Sequence, residues 1–243
     1  MEQDFFFPPY IGVKYADDDN FFNGKKVLVI GHAHYCTDGY PKKPNGRYDR
    51  KLGCGINCPN YAKDRICPNR TGSWTDDVVK AYINYKKFQL RIKNVGEIED
   101  RKTFSNFANL FIPEKRRNPE NHIRLWESVI FYNFTQSASP KTTGKDIPKV
   151  YDDAKPYFLL LLDNLKDSNI LPDIIIVWGE YIPPHLPFYK DISWANKIEK
   201  SGFIIFNEKT IPLAFIKHPM LGYYDHNTKV IKSVAPELFP TNI

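Results

Sequence analysis

No stretch of this chain approaches the roughly 18 consecutive apolar residues that would cross a bilayer as a helix, so a helical membrane protein is not expected. The opening residues, MEQDFFFPPYIGVKY, lack the form of a secretory leader: they carry early acids, have no basic start and are broken by Pro8–Pro9. The expected compartment is the cytoplasm, with no membrane contact. Internal repeats and low-complexity linkers are also missing, which excludes a solenoid or a tethered array and favours a single domain over 1–243. Charge of one sign is not dominant. Thirty-four Lys+Arg against 28 Asp+Glu leave +6, compatible with a polyanionic partner without demonstrating one. The densest basic run, PEKRRNP (113–119), reads as a solvated loop.

Cysteine is scarce, four in 243 residues, and its distribution is uneven. Cys36, Cys54, Cys58 and Cys67 all fall within one 32-residue stretch. A reduced cytoplasmic protein has no need of disulfides, so the clustering of every thiol favours a structural zinc site. Cys54 and Cys58 have a spacing that zinc tolerates, and nearby Gly and Pro let the loop wrap. Four free thiols on a loop is the competing explanation, because the spacing is not a standard one.

Apolar residues are plentiful at 42%, with 15% aromatic, enough for a sizeable core. Four short apolar runs read as strands buried on both faces: KVLVIG (26–31), SVIFYNF (128–134), DIIIVWG (173–179) and PLAFIKH (212–218). FIIF (203–206) could add an edge strand. Helical patterns lie between them. SWTDDVVKAYINYKKF (73–88) sets Trp74, Val78 and Tyr82 at steps of four behind a Ser73 cap, and DRKTFSNFANLF (100–111) is a second helix. NPENHIRLWES (118–128) has Asn118 as cap and Pro119 at the first helical position. KPYFLLLLDNLKDSN (155–169) carries a Leu-rich stripe. SWANKIEKSG (193–202) reads as a helix from a Ser cap to Gly202. This order predicts an α/β fold, a three-layer α/β/α sandwich around a central, mostly parallel four-stranded sheet. It would carry a cysteine-containing loop at 36–72 and a helical insertion at about 73–125.

In an open parallel sheet, ligands bind beyond the carboxyl ends of the strands. Here those ends read Gly31-His32-Ala33-His34-Tyr35, then Asn133, then Gly179-Glu180-Tyr181, then His218-Pro219. Parallel strands would gather these polar residues on one rim. His122, His185 and His226 lie elsewhere and read as ordinary hydrogen-bonded residues. The aromatics at 5–7, 10, 15, 21 and 22 read as an arm packed on the domain.

Taken in order, these strand ends resemble the uracil-DNA glycosylase superfamily. The family carries a Gly-Gln-Asp-Pro-Tyr-His motif after the first strand, a strand ending in asparagine, a strand ending in Trp-Gly and a late His-Pro-Ser. The matching segments are GHAHYC (31–36), IFYN (130–133), IIIVWG (174–179) and KHPM (217–220). The chain is more similar still to a bacterial, uracil-DNA glycosylase-like branch with a Gly-Glu-Ser-His-Tyr type first motif.

The resemblance implies a DNA-repair hydrolase, a base-excision enzyme that binds DNA as a monomer. Asn133 would read the edge of a flipped base, because a carboxamide donates and accepts in one plane. His218 would donate to the base oxygen that gains charge as the glycosidic bond breaks. Tyr35 would wall the pocket, with Gly31 and Pro219 beside the base, and Met220 or Leu221 would form a DNA wedge. The chain departs from the family where it carries Ala33 in place of a water-activating aspartate, and Met220 in place of the serine. His32, His34 or Glu180 would then have to handle water. If none does, the same fold is a non-catalytic module that binds a nucleobase, nucleotide or nucleic acid.

Overall fold

The computed structural model describes residues 8–32, 34–35, 74–91, 102–135, 138–139, 154–179, 182–197 and 200–239. The fold is mixed α/β. Four strands form the centre of the sheet: β2 (Val27–Gly31), β4 (Val129–Asn133), β6 (Ile174–Trp178) and β9 (Lys209–Ile216). They pair in parallel in the order β4-β2-β6-β9. β2, β4 and β6 are buried at every position, as strands covered on both faces must be.

The expected four-stranded sheet is extended to seven. β1 (Tyr10–Ile11) pairs antiparallel outside β4. On the opposite side, β8 (Ser201–Phe206) pairs antiparallel with β9, and β7 (Ser193–Asn196) pairs antiparallel with β8. The segment 203–206 is therefore a strand, but the outermost strand is β7. The helix expected over 193–202 is corrected by the same finding. Ser193–Asn196 alternates exposed and half-buried residues, the period of a strand. Gly202 is no helix cap: it sits inside β8, where an added Cβ would meet the Ser193 carbonyl oxygen at 2.6 Å. Glycine there lets β7 approach β8 closely. A further short pair joins β3 (His34–Tyr35) in parallel with β5 (Ala138–Ser139).

Alternate residues of the central strands feed two clusters. Val27, Val29, Phe131, Ile176 and Trp178 face α1 (Trp74–Arg91), α2 (Lys102–Ala108), α3 (Pro119–Trp126) and α5 (Tyr224–Lys232). Leu28, Ile30, Ile130, Tyr132 and Val177 face α4 (Lys155–Asp167) and the segment 182–192. α4 buries Phe158, Leu161, Leu162 and Leu165, a stripe at helical spacing. α3 starts as its sequence dictates, the Asn118 side chain accepting from the Asn121 amide at 2.8 Å. In α1 the buried face is Val79, Tyr82, Ile83 and Lys86, whereas Val78 is exposed. The stripe therefore lies one residue round the helix from the expected one. α1, α2 and α3 fall in the window expected for a helical insertion, and the cysteine loop lies outside the described residues. No helix among the described residues is long and apolar enough to cross a membrane.

At the amino-terminal end of the sheet, the Asp173 carboxylate ties three central strands together. It accepts from the Lys26 amide at 2.8 Å and from Lys209 Nζ at 2.7 Å. Burial alone would raise the pKa of this carboxyl, but the hydrogen bonds and charges of Lys209 and Lys26 hold it below the usual range. That end is occupied structurally. The opposite rim is where the strands release their polar residues.

Candidate active site at the carboxyl rim

β2 and β4 end level with one another, Gly31 opposite Asn133. An added Cβ on Gly31 would fall on Asn133 Oδ1 and lie 2.7 Å from Phe131 Cζ. The absence of a side chain at Gly31 is what lets the Asn133 carboxamide lie across the end of β2. Asn133 is buried, a polar side chain held at the lip of an apolar sheet.

Beyond Gly31, the chain is fixed by β4. The Phe134 amide donates to the Gly31 carbonyl at 2.9 Å, and the Thr135 amide and hydroxyl both donate to the His32 carbonyl at 3.1 Å. The His32 imidazole is half-buried. Burial, and then the neighbouring His218, push its pKa down to about 4. It is neutral at physiological pH.

β9 delivers His218 to the same rim. Two side chains hold this turn. Buried Asn227 on α5 accepts from the Lys217 amide at 2.9 Å and donates to the Lys217 carbonyl at 3.0 Å. Asn106 on α2 donates to the Pro219 carbonyl at 2.9 Å and accepts from the Tyr224 hydroxyl at 2.6 Å. His218 Nδ1 accepts from the Met220 amide at 3.3 Å, and its ring stands edge-on to Trp178, centroids 6.0 Å apart. Burial lowers the His218 pKa, so the ring is neutral. With Nδ1 engaged as an acceptor, the proton of the neutral ring sits on Nε2. A fixed Nε2–H donor is the result.

Pro219–Leu221 forms a short turn in which Pro219 is buried while Met220 and Leu221 are 58% and 66% exposed. With Tyr223, 42% exposed, they make an apolar prow beside His218. Gly222, at a φ of 71°, closes the turn.

The structure thus brings Gly31, His32, Asn133, His218, Pro219, Met220 and Leu221 to one rim. Of His34 and Tyr35 only the backbone is described, in β3 just past His32. Ala33, Glu180 and the four cysteines lie outside the described residues. Among the described residues no group of three or more His, Cys, Asp or Glu is placed to hold a metal. His122 is buried, its Nδ1 2.7 Å from the Tyr82 hydroxyl. His226 lies nearer, lining a groove with Gly179 and Lys217. Asn106, Asn227 and Thr135 position the site and carry no motif. Their one sequence signal is an amide or hydroxyl side chain inside an otherwise apolar or helical pattern. No family model matches the sequence, and neither curated proteins nor solved structures give a match.

Proposed function

We propose that the carboxyl rim binds a nucleobase turned out of a DNA strand, and that the chain hydrolyses the N-glycosidic bond of a damaged or deaminated base in the manner of a uracil-DNA glycosylase. The observation that carries this reading is the pairing of two preset groups on one rim: the Asn133 carboxamide pressed against Gly31 and the neutral His218 presenting Nε2–H. The carboxamide suits the hydrogen-bonding edge of a base. The imidazole N–H suits an oxygen that becomes negative as the base departs.

In the proposed reaction, the bond between C1′ of the sugar and the base nitrogen breaks, and its electron pair leaves with the base. His218 Nε2–H donates to the exocyclic oxygen that takes up that charge. Water attacks C1′ and gives up its proton. Ala33 cannot receive it, but His32 can. With a pKa of about 4, neutral His32 has the basicity of an ordinary carboxylate. It lacks the negative charge that would stabilise a cationic sugar. Met220 and Leu221 would enter the space the base vacates, and Tyr35, His34 and Glu180 keep their proposed places around the pocket.

Ala33 also favours the alternative of a nucleobase-binding module without catalysis. An excision assay on single- and double-stranded oligonucleotides carrying uracil, hypoxanthine or xanthine separates the two. The enzyme reading expects base release, reduced at least a hundredfold in His218→Ala and also lost in Asn133→Ala. Base-dependent binding with every glycosidic bond intact supports the module. Binding indifferent to both substitutions sinks both readings. The four cysteines are proposed as a structural zinc site; near-zero zinc and iron in freshly purified protein would end that idea.

A further inference from the structure

The rim continues past the base-reading corner into a trough. Two adjoining cavities of about 220 and 280 Å³ share Pro183, Lys200 and Phe215 in their walls, one beside the ends of β6 and β9 and the other beside Trp194 of β7. The first includes Gly179, where a φ of 92° demands glycine and where an added Cβ would have no neighbour within 4 Å.

Two kinds of side chain line the trough. Lys197, Lys200 and Lys217 supply three ammonium groups, and no carboxylate is among the described lining residues. The Phe215 amide donates to the Lys200 carbonyl at 3.1 Å, which fixes the backbone of that lysine against β9. Tyr189, Trp194 and Phe215 form the aromatic wall, with Trp194 5.9 Å from Tyr189 and 5.6 Å from Phe215, centroid to centroid. Phe215 is buried, whereas Trp194 and Tyr189 keep part of their rings exposed. The residue opposite Trp194 in β8 is Gly202, so no side chain from that partner covers the ring.

Clustered ammonium groups attract a polyanion, and exposed rings among them stack bases whatever their sequence. We propose that this trough holds the unpaired DNA strand flanking the extruded nucleotide, with Trp194 stacking a neighbouring base and Lys197, Lys200 and Lys217 meeting its phosphates. The substrate is accordingly single-stranded DNA. This rests on the base-binding reading above and adds to it the form of nucleic acid and the course of the strand.

The test uses the intact chain and fluorescein-labelled twelve-nucleotide strands, all-thymine or with one central uracil, read by anisotropy. Affinity for the all-thymine strand reports the trough, and the increment given by uracil reports the corner. Expected are binding at least tenfold tighter to the single strand than to its duplex, and quenching of tryptophan fluorescence on binding. Trp194→Leu should weaken the all-thymine strand at least fivefold. The exposed pair Lys197→Ala and Lys200→Ala, which spares the core, should lower the slope of log affinity against log salt by roughly 0.7 for each lysine replaced. Wild-type affinity and salt slope in the lysine variant, a preference for duplex, or a thymidine mononucleotide binding as tightly as the strand would overturn the proposal. A uracil increment that persists while the trough variants change nothing removes the trough alone. Trough effects without any uracil increment remove the corner reading and leave the trough standing.

Discussion

At the scale of single residues, the site depends on what is left out as much as on what is present. Gly31 has no side chain, and the Asn133 carboxamide occupies that space. Gly31→Ala should therefore weaken base-dependent binding at least tenfold while lowering stability by about 1–3 kcal/mol, the usual cost of overpacking. Oligonucleotide anisotropy beside thermal unfolding checks both; equal loss of binding to every strand would contradict the base-specific role. His32 gives a second expectation. Its folded pKa of about 4 lies below the ordinary histidine value, so the neutral base is present above that pH. Excision should be level from pH 5 to 8 and fall as pH drops through about 4. A rate that climbs through pH 6–7 would exclude His32 as the proton acceptor. Asn133 and His218 were legible in the sequence because each ends an apolar run, where strand geometry fixes position. Asn106 and Thr135 were not. They act on the carbonyls of Pro219 and His32, 113 and 103 residues away, and no local pattern encodes such a contact.

At the scale of elements, the four central strands and the helices α3 and α4 followed from periodicity, caps and proline placement. The failures share a cause. SWANKIEKSG offered a serine cap and a terminal glycine, but both were serving a β pairing: Gly202 admits the β7 backbone, and Ser193 pairs with Phe203. Tertiary pairing overrode a local signal. In α1, the expected Trp74–Val78–Tyr82 stripe leaves Val78 exposed, because the buried face is set by what α2 and α3 offer. Tyr82 meets His122 of α3 at 2.7 Å and the Ser105 hydroxyl of α2 at 2.9 Å. Burial, then the charges of Lys86 and Arg117, push the His122 pKa down to about 3. The unfolded chain binds this proton from about pH 6.5 downward, whereas the folded chain resists it until about pH 3. Stability is therefore unaffected by this group above pH 6.5 and falls as pH drops from there toward 3, by at most about 1.4 kcal/mol per pH unit. Urea unfolding at pH 4 to 7 should show that slope reduced in His122→Asn. An unchanged slope would assign the acid sensitivity to other groups.

At the scale of the molecule, the sheet separates structural from functional polarity. Asp173, Lys26 and Lys209 close the amino-terminal end, and the carboxyl rim collects His32, Asn133, Gly179 and His218 because all four central strands run the same way. The sequence carried that polarity. It offered 203–206, within β8, as an edge strand but read 193–202 as a helix, and so missed β7 and its antiparallel pairing with β8 beside the trough. The central claim is that Asn133 and His218 face one base. Nitrogen-15 NMR of the side chains during titration with a uracil-containing single strand tests it most directly. The account predicts that His218 is neutral with its proton on Nε2 before binding, and that the Nε2 and Asn133 Nδ2 signals shift together, at one affinity, only when uracil is present. A His218 proton on Nδ1, or uracil-dependent shifts that bypass Asn133, would contradict it.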